Sequence, residues 1–123
     1  MDQGRTEAAI AHFNQAIKLA QEVGDQRYEG VWRGHLGTAY RALGKIDQGI
    51  KYHEQSLDIA RNIGDQRWQG KQLGELGTAS FETGQFQQAI NYLQEALKIA
   101  HRIGDVQVEG SHLGQLVVLP KSF

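Results

Sequence analysis

The sequence predicts an all-α fold, an α-solenoid of stacked antiparallel helical hairpins with about six helices. Three observations lead to this prediction. The chain resembles itself at a spacing of about 40 residues, its segments place apolar residues three and four positions apart, and a Gly-Asp pair recurs at that same spacing. No stretch alternates apolar and polar residues as a half-buried strand does.

The repeat divides the chain into two full units flanked by two half units. Residues 24–63 and 64–103 share about 18 of some 40 aligned positions. Residues 1–23 match the second half of this unit and residues 104–118 match its first half, leaving a short tail at 119–123. Because stacked repeats bury a continuous core, we expect a single array over the whole chain.

Each repeat contains two amphipathic helical patterns. What we call second-type helices are predicted at 5–23, 46–63 and 86–103; the middle one places apolar side chains on one face at Ile46, Ile50, Leu57, Ala60 and Ile63. What we call first-type helices are predicted at 26–43, 66–83 and 106–118; the earliest has apolar residues at Trp32, Leu36, Ala39, Tyr40 and Leu43.

The Gly-Asp pair accounts for the turn between a second-type helix and the next first-type helix. Gly24 follows the last apolar residue, where a helix commonly ends in the left-handed conformation. Asp25 is then placed to cap the next helix by accepting backbone N–H groups. The pair returns at 64–65 and 104–105, and Gly44 and Gly84 mark the other turn of each repeat.

Glycines also occur inside the first-type helices, on one face of each. They are Gly30, Gly34 and Gly37, then Gly70, Gly74 and Gly77, then Gly110 and Gly114. Each costs about 1 kcal/mol against alanine, so we expect a neighbouring helix to approach closely there. The spacing does not match a phosphate-binding loop and no strand precedes it, while the polar neighbours argue against a membrane GxxxG motif.

Composition argues against several functions. Lys and Arg total 13 against 14 Asp and Glu, so the net charge of −1 offers no basic excess for nucleic acid. The absence of cysteine excludes disulfides, thiolate metal sites and cysteine nucleophiles. No apolar run has the roughly 18–20 residues of a membrane span, and the N-terminus lacks the order of a signal peptide. The sequence predicts a cytoplasmic protein without membrane contact.

No catalytic or metal-binding pattern stands out. The five histidines share no ligand spacing, so neither a metal nor a cofactor is predicted. His53 and Ser56 lie three residues apart on one helix, but no strained turn or orienting acid accompanies them, and we predict that the protein is not an enzyme. Tyr28, Trp68 and Val108 occupy one repeat position. Packing between repeats is the preferred interpretation for them and an aromatic binding stripe the alternative.

These motifs resemble the tetratricopeptide repeat, in a long 40-residue form similar to that of Pins/LGN-type adaptors, kinesin light chains and bacterial multi-repeat regulators. The first-helix core of that family matches Leu36-Gly37-x-x-Tyr40 and Leu76-Gly77-x-x-Ser80. Its second-helix pattern matches Ala9, Phe13 and Ala16, and then Ala89, Leu93 and Ala96. The asparagines that flank Leu-Gly in the Pins-type unit are replaced, at the first repeat, by His35 and Thr38.

The resemblance implies a protein-interaction scaffold whose first-type helices line a concave groove for a peptide or partner segment. The residues placed there by the family's geometry are Val31, His35, Thr38, Arg41, Ala42, Lys71, Glu75, Thr78, Phe81, Glu82, Ser111 and Gln115. Their mixed charges and one phenyl ring suit an extended or helical peptide with an apolar anchor near Phe81.

The alternative function is a self-associating structural module. The first predicted helix has no first-type partner before it, and the last, at 106–118, has no second-type partner after it. The last helix of one chain is then expected to complete a hairpin with the first helix of another, as a ring, swapped dimer or filament. A plainer alternative is that the chain is a fragment of a longer array.

Overall fold

The computed structural model describes residues 3–104, and five α-helices account for nearly all of them. The sixth predicted helix, at 106–118, lies outside the described residues. No strand occurs among residues 3–104. Each observed helix begins and ends within two residues of its predicted bounds, so the all-α prediction is confirmed. The helices are α1 (Gln3–Val23), α2 (Gln26–Ala42), α3 (Ile46–Ile63), α4 (Gln66–Glu82) and α5 (Phe86–Ile103).

The chain divides into two compact units, Met1–Gly64 and Asp65–Phe123. In the first unit, α2 packs against both α1 and α3. In the second, α4 and α5 pack together as a hairpin. The division falls between Gly64 and Asp65, within the second Gly-Asp pair, so each unit holds one full repeat hairpin.

The Gly-Asp turn ends one helix and starts the next. Gly24 has a φ of 73°, in the left-handed region. The N–H of Asp25 donates to the Ala20 carbonyl at 2.8 Å, which closes the end of α1. The carboxylate of the same Asp25 accepts from the backbone N–H of Tyr28 at 3.1 Å and caps α2. Asp65 caps α4 in the same way, so the predicted turn is confirmed.

The other turn, inside each hairpin, ends the first helix similarly but starts the second without a cap. Gly44 has a φ of 78°, and the N–H of Lys45 donates to the Tyr40 carbonyl at 2.9 Å. Lys45 makes no side-chain capping bond to α3. The position of α3 therefore depends on its packing against α2.

Close approach at glycine positions holds α2 against α3. A methyl group on Gly37 would lie 2.7 Å from the His53 ring, and one on Gly49 would lie 2.7 Å from the Gly37 carbonyl oxygen. Both distances are too short for a real carbon atom, so neither position has room for a side chain. Ser56 adds a buried hydrogen bond from its hydroxyl to the Gly30 carbonyl, at 2.6 Å.

The second hairpin packs at the same positions with apolar side chains. A methyl group on Gly77 would lie 2.7 Å from Leu93, which occupies the repeat position of His53. A methyl group on Gly70 would lie 3.5 Å from Ile99, an ordinary contact. Fully buried Ala96 stands at the repeat position of Ser56. The expected close approach is thus observed at Gly37 and Gly77 and is looser at Gly70.

This difference between glycines gives a first prediction. We expect Gly77→Ala to lower the free energy of unfolding by about 1–3 kcal/mol, because the added carbon overlaps Leu93. We expect Gly70→Ala to leave it unchanged or raise it by up to about 1 kcal/mol, because alanine favours the helix and has room. Urea denaturation followed by circular dichroism measures both; an equal loss at the two positions would contradict this packing.

A second prediction concerns two fully buried serines. The Ser56 hydroxyl makes the hydrogen bond to Gly30, whereas the Ser80 hydroxyl is buried without one. We expect Ser56→Ala to cost about 1–2 kcal/mol of stability, because the Gly30 carbonyl loses a buried donor. Ser80→Ala is the matched control and should be neutral or stabilising in the same denaturation experiment.

Candidate functional site

The predicted binding face of α2 lies on one side of that helix, since its residues are spaced four, three and three apart. Thr38 is exposed, while Val31, His35 and Arg41 are half-buried. Ala42, at the end of the helix, is exposed as well. Only part of this predicted face is therefore open to a ligand.

The His35 ring belongs to an aromatic cluster that joins α1 to α2. Its centroid lies 5.6 Å from that of Phe13 and 5.5 Å from that of Trp32. The Phe13 and Trp32 rings stack on each other at 5.8 Å. Ring pairs at these separations stabilise the packing of the two helices. His35 thus has a structural role besides any contact with a ligand.

Arg41 also takes part in the hairpin. A methyl group on Gly49 would lie 2.5 Å from Cγ of Arg41, so the aliphatic part of this side chain packs on α3. Its Nε is buried. Sequence reasoning placed Arg41 in the groove and did not foresee this contact, which the absence of a side chain at Gly49 permits.

The predicted face of α4 is more open. Lys71 and Glu82 are exposed at its two ends, with Glu75 and Thr78 half-buried between them. Phe81 adjoins this face and is 38% exposed, with its ring centroid 5.4 Å from that of Phe86. The face offers both signs of charge and one accessible phenyl ring.

Two details limit what these side chains can offer to a ligand. The ammonium of Lys71 lies 5.4 Å from the centre of the Trp68 ring, within the range of a cation–π contact. The hydroxyls of Thr38 and Thr78 donate to the carbonyls of Gly34 and Gly74, at 3.4 and 3.1 Å. Their oxygens remain available as acceptors. Ser111 and Gln115, the last two predicted groove residues, lie outside the described residues.

A second apolar surface lies where α1 ends and α2 begins, on the helix for which the sequence predicts no first-type partner. Leu19 is 58% exposed, Val23 78% and Tyr28 55%. With Ala16 and Trp32 they border a shallow depression of about 250 Å³. The preferred interpretation of Tyr28 as buried packing is therefore wrong, and Trp68 at the same repeat position is half-buried. The signal was present in the sequence, since Leu19 aligns with Ile59 and Ile99.

Two kinds of site considered from the sequence, a metal site and a His53–Ser56 pair, can be compared with the described residues. No three His, Cys, Asp or Glu side chains among them are grouped to hold a metal ion. His53 and Ser56 are both fully buried, and the serine hydroxyl is used in the hydrogen bond to Gly30.

An open cleft of about 700 Å³ beside the first Gly-Asp turn is bordered by Arg27, Glu29 and Ile63. Within residues 3–104, no helix is long and apolar enough to cross a membrane.

Comparison with known proteins agrees with this architecture. The tetratricopeptide repeat profile matches residues 27–102, and a second profile of the same family matches residues 1–23. The chain belongs to the tetratricopeptide repeat family. Repeats of this family generally mediate protein–protein interaction, and the fold is typically a non-catalytic module. A search of curated proteins finds no match.

Solved structures share the fold at low sequence identity. One is a Signal Transduction ATPase with Numerous Domains (STAND) protein with a tetratricopeptide repeat sensor, from Pyrococcus horikoshii, at a TM-score of 0.79 and 20% identity over 87% of this chain. Another is BtubC (BKLC) from P. vanneervenii, at a TM-score of 0.69 and 14% identity over 91% of this chain. The present chain spans 17% of the first protein and 55% of the second, so these matches concern the repeat fold alone.

A third prediction separates the open from the structural residues of the two faces. We expect Lys71→Glu to leave helicity and the midpoint of unfolding nearly unchanged, because this side chain is exposed. Phe81→Ala should keep helicity and lower the midpoint only slightly, because its partly exposed ring loses the contact with Phe86. Arg41→Glu should lower the midpoint, because it places a carboxylate where an aliphatic stem packs and Nε is buried. Thermal melts by circular dichroism test this, and an Arg41→Glu variant as stable as the parent would contradict it.

Proposed function

We propose that the chain is an interaction module that binds an extended or helical segment of a partner protein on its first-type helices. The proposal applies to each unit by itself, to α2 in the first and α4 in the second. The observation that supports it best is the open face of α4, where partly exposed Phe81 lies beside exposed Glu82 and Lys71 lies on the same helix. An accessible aromatic ring with charged neighbours is a typical anchor for a peptide.

The chemistry of each face favours a partner with both apolar and charged residues. On α4, an apolar side chain would cover Phe81, a basic one would pair with Glu82, and an acidic one would pair with Lys71. On α2, exposed Thr38 offers an acceptor oxygen and the outer edge of His35 offers a ring. No enclosed cavity is needed, because a peptide can lie along a helix face.

The charges on these faces favour proteins over nucleic acid. Lys71 on α4 is accompanied by Glu75 and Glu82, so the face carries no excess of positive charge. A phosphate backbone would meet two carboxylates for each ammonium there. The fold of the STAND protein's sensor suits the same kind of role, although the comparison supports only the shared architecture.

The experiment that tests this function is a selection of displayed random peptides on the immobilised 123-residue chain. We expect selected peptides to share an apolar anchor flanked by charge. Phe81→Ala should weaken them at least about fivefold, since an interface aromatic is commonly worth more than about 1 kcal/mol. Lys71→Glu should weaken peptides that have an acidic residue.

Matched controls keep this test specific. Tyr28→Ala removes another exposed aromatic ring, and Lys98→Glu reverses another exposed lysine, on α5. Tyr28 is on α2 but borders the apolar surface of Leu19 and Val23, and Lys98 lies on α5, so neither belongs to the predicted groove and both variants should retain affinity. Selected peptides that bind equally to the Phe81→Ala and Tyr28→Ala variants would contradict the proposed site, and failure to select any peptide would contradict the function.

A further inference from the structure

The apolar surface of α1 occupies a repeat position whose equivalents lie inside hairpins. Leu19 aligns with Ile59 and Ile99. Ile59 contacts Gly30 of α2, where a methyl group would lie 2.9 Å from its Cγ2, and Ile99 contacts Gly70 of α4. Ile99 is only 4% exposed, against 58% for Leu19. In both complete hairpins, then, a glycine of a first-type helix covers this position.

The rest of the same stripe on α1 is also exposed. Val23 is 78% exposed, whereas Ile63 and Ile103, at its repeat position, are half-buried. Ala16, three residues before Leu19 on the same side of α1, is half-buried at the position of fully buried Ser56 and Ala96. The side chains with which α3 and α5 pack in their hairpins therefore have equivalents on α1. Within residues 3–104, no first-type helix covers these equivalents.

We propose that this α1 face binds the segment 106–118 of a second copy of the chain. That segment lies outside the described residues, and its sequence repeats the first-type pattern with Gly110, Leu113, Gly114 and Leu116. Gly110 aligns with Gly30 and Gly70, the two glycines that receive Ile59 and Ile99. The internal repeats thus set the register, with Leu19 of one chain opposite Gly110 of the next.

The fit follows from side-chain size. An aliphatic side chain on a second-type helix enters the space left by a missing side chain on a first-type helix, as Ile59 does at Gly30. Leu19 is an equivalent side chain, and the exposed apolar area of Leu19 and Val23 would be removed from water. The contact joins different surfaces of the two copies, so it adds chains head to tail and forms a ring or a filament. It does not depend on the peptide-binding function proposed above.

The absence of cysteine makes this register directly testable by cross-linking. The Cβ position of Gly30 lies 3.4 Å from Cβ of Ile59, close to the roughly 3.5–4.5 Å that a disulfide needs. A G30C/I59C variant is therefore an internal calibration and should cross-link within one chain. For the proposed contact, a chain with L19C is mixed with a differently tagged chain with G110C, under mild oxidation by copper-phenanthroline.

We expect a disulfide between the two tagged chains, at a yield that rises with protein concentration. The matched control replaces L19C by N14C, since Asn14 is exposed elsewhere on α1, and should give at most a small background. No hetero-cross-link above this control, with the G30C/I59C calibration formed, would overturn the proposal. A product dominated by two chains joined through L19C in both would also overturn it, because that product would mean a symmetric contact. So would a bond between positions 19 and 110 that forms only within a single chain carrying both L19C and G110C, whatever the dilution.

A measurement without cysteines provides a second test. In sedimentation velocity, the parent chain should associate as its concentration rises, and Leu19→Glu should shift it to the monomer. Asn14→Glu, which introduces the same side chain on the same helix, should associate like the parent. A parent chain that remains monomeric at every concentration, or a Leu19→Glu variant that associates as the parent does, would overturn the proposal.

Discussion

Each hairpin depends on one constraint, the close approach of its two helices at Gly37 or Gly77. At both positions the facing side chain, His53 or Leu93, occupies the space that a β-carbon would need. Glycine in a helix costs about 1 kcal/mol against alanine, and packing against a buried ring or isobutyl group offsets that cost. Since the turn inside each hairpin gives no side-chain cap to its second helix, this contact is the main determinant of where that helix lies.

The two hairpins meet the same constraint with different chemistry. The first uses His53, Ser56 and a parallel stack of the Tyr40 and Tyr52 rings at 5.3 Å. The second has Leu93 and Ala96 at the positions of His53 and Ser56. At these two positions the first hairpin uses an imidazole ring and a directional hydrogen bond, whereas the second uses aliphatic side chains. The repeat therefore conserves the space between helices more strictly than the groups that fill it.

The features that the sequence predicted well are those decided within a few residues. The Gly-Asp turn needs only a left-handed glycine and a carboxylate three residues before a free N–H, so its recurrence identified the helix bounds. The exposure of Tyr28 and the packing of the Arg41 stem were not foreseen, because the environment of both side chains depends on other helices. Whether Tyr28 is covered depends on what packs against α1, and the Arg41 stem is held by a glycine on α3. The sequence could assign the predicted binding-face residues to helices, but the degree to which each of their side chains is exposed depends on the packing that the structure shows.

The dual role of Asp25 has a consequence for how such a chain can lengthen. This one residue closes the preceding helix through its N–H and opens the following helix through its carboxylate, and the Gly-Asp pair recurs at 64–65. A block of sequence that begins at one Gly-Asp pair and stops before the next therefore has the turn residues at its start and, at its end, a helix that such a turn can close. In-frame duplication of that block would insert a new hairpin already capped at either border, so growth of the gene would require no further substitutions to repair the joint.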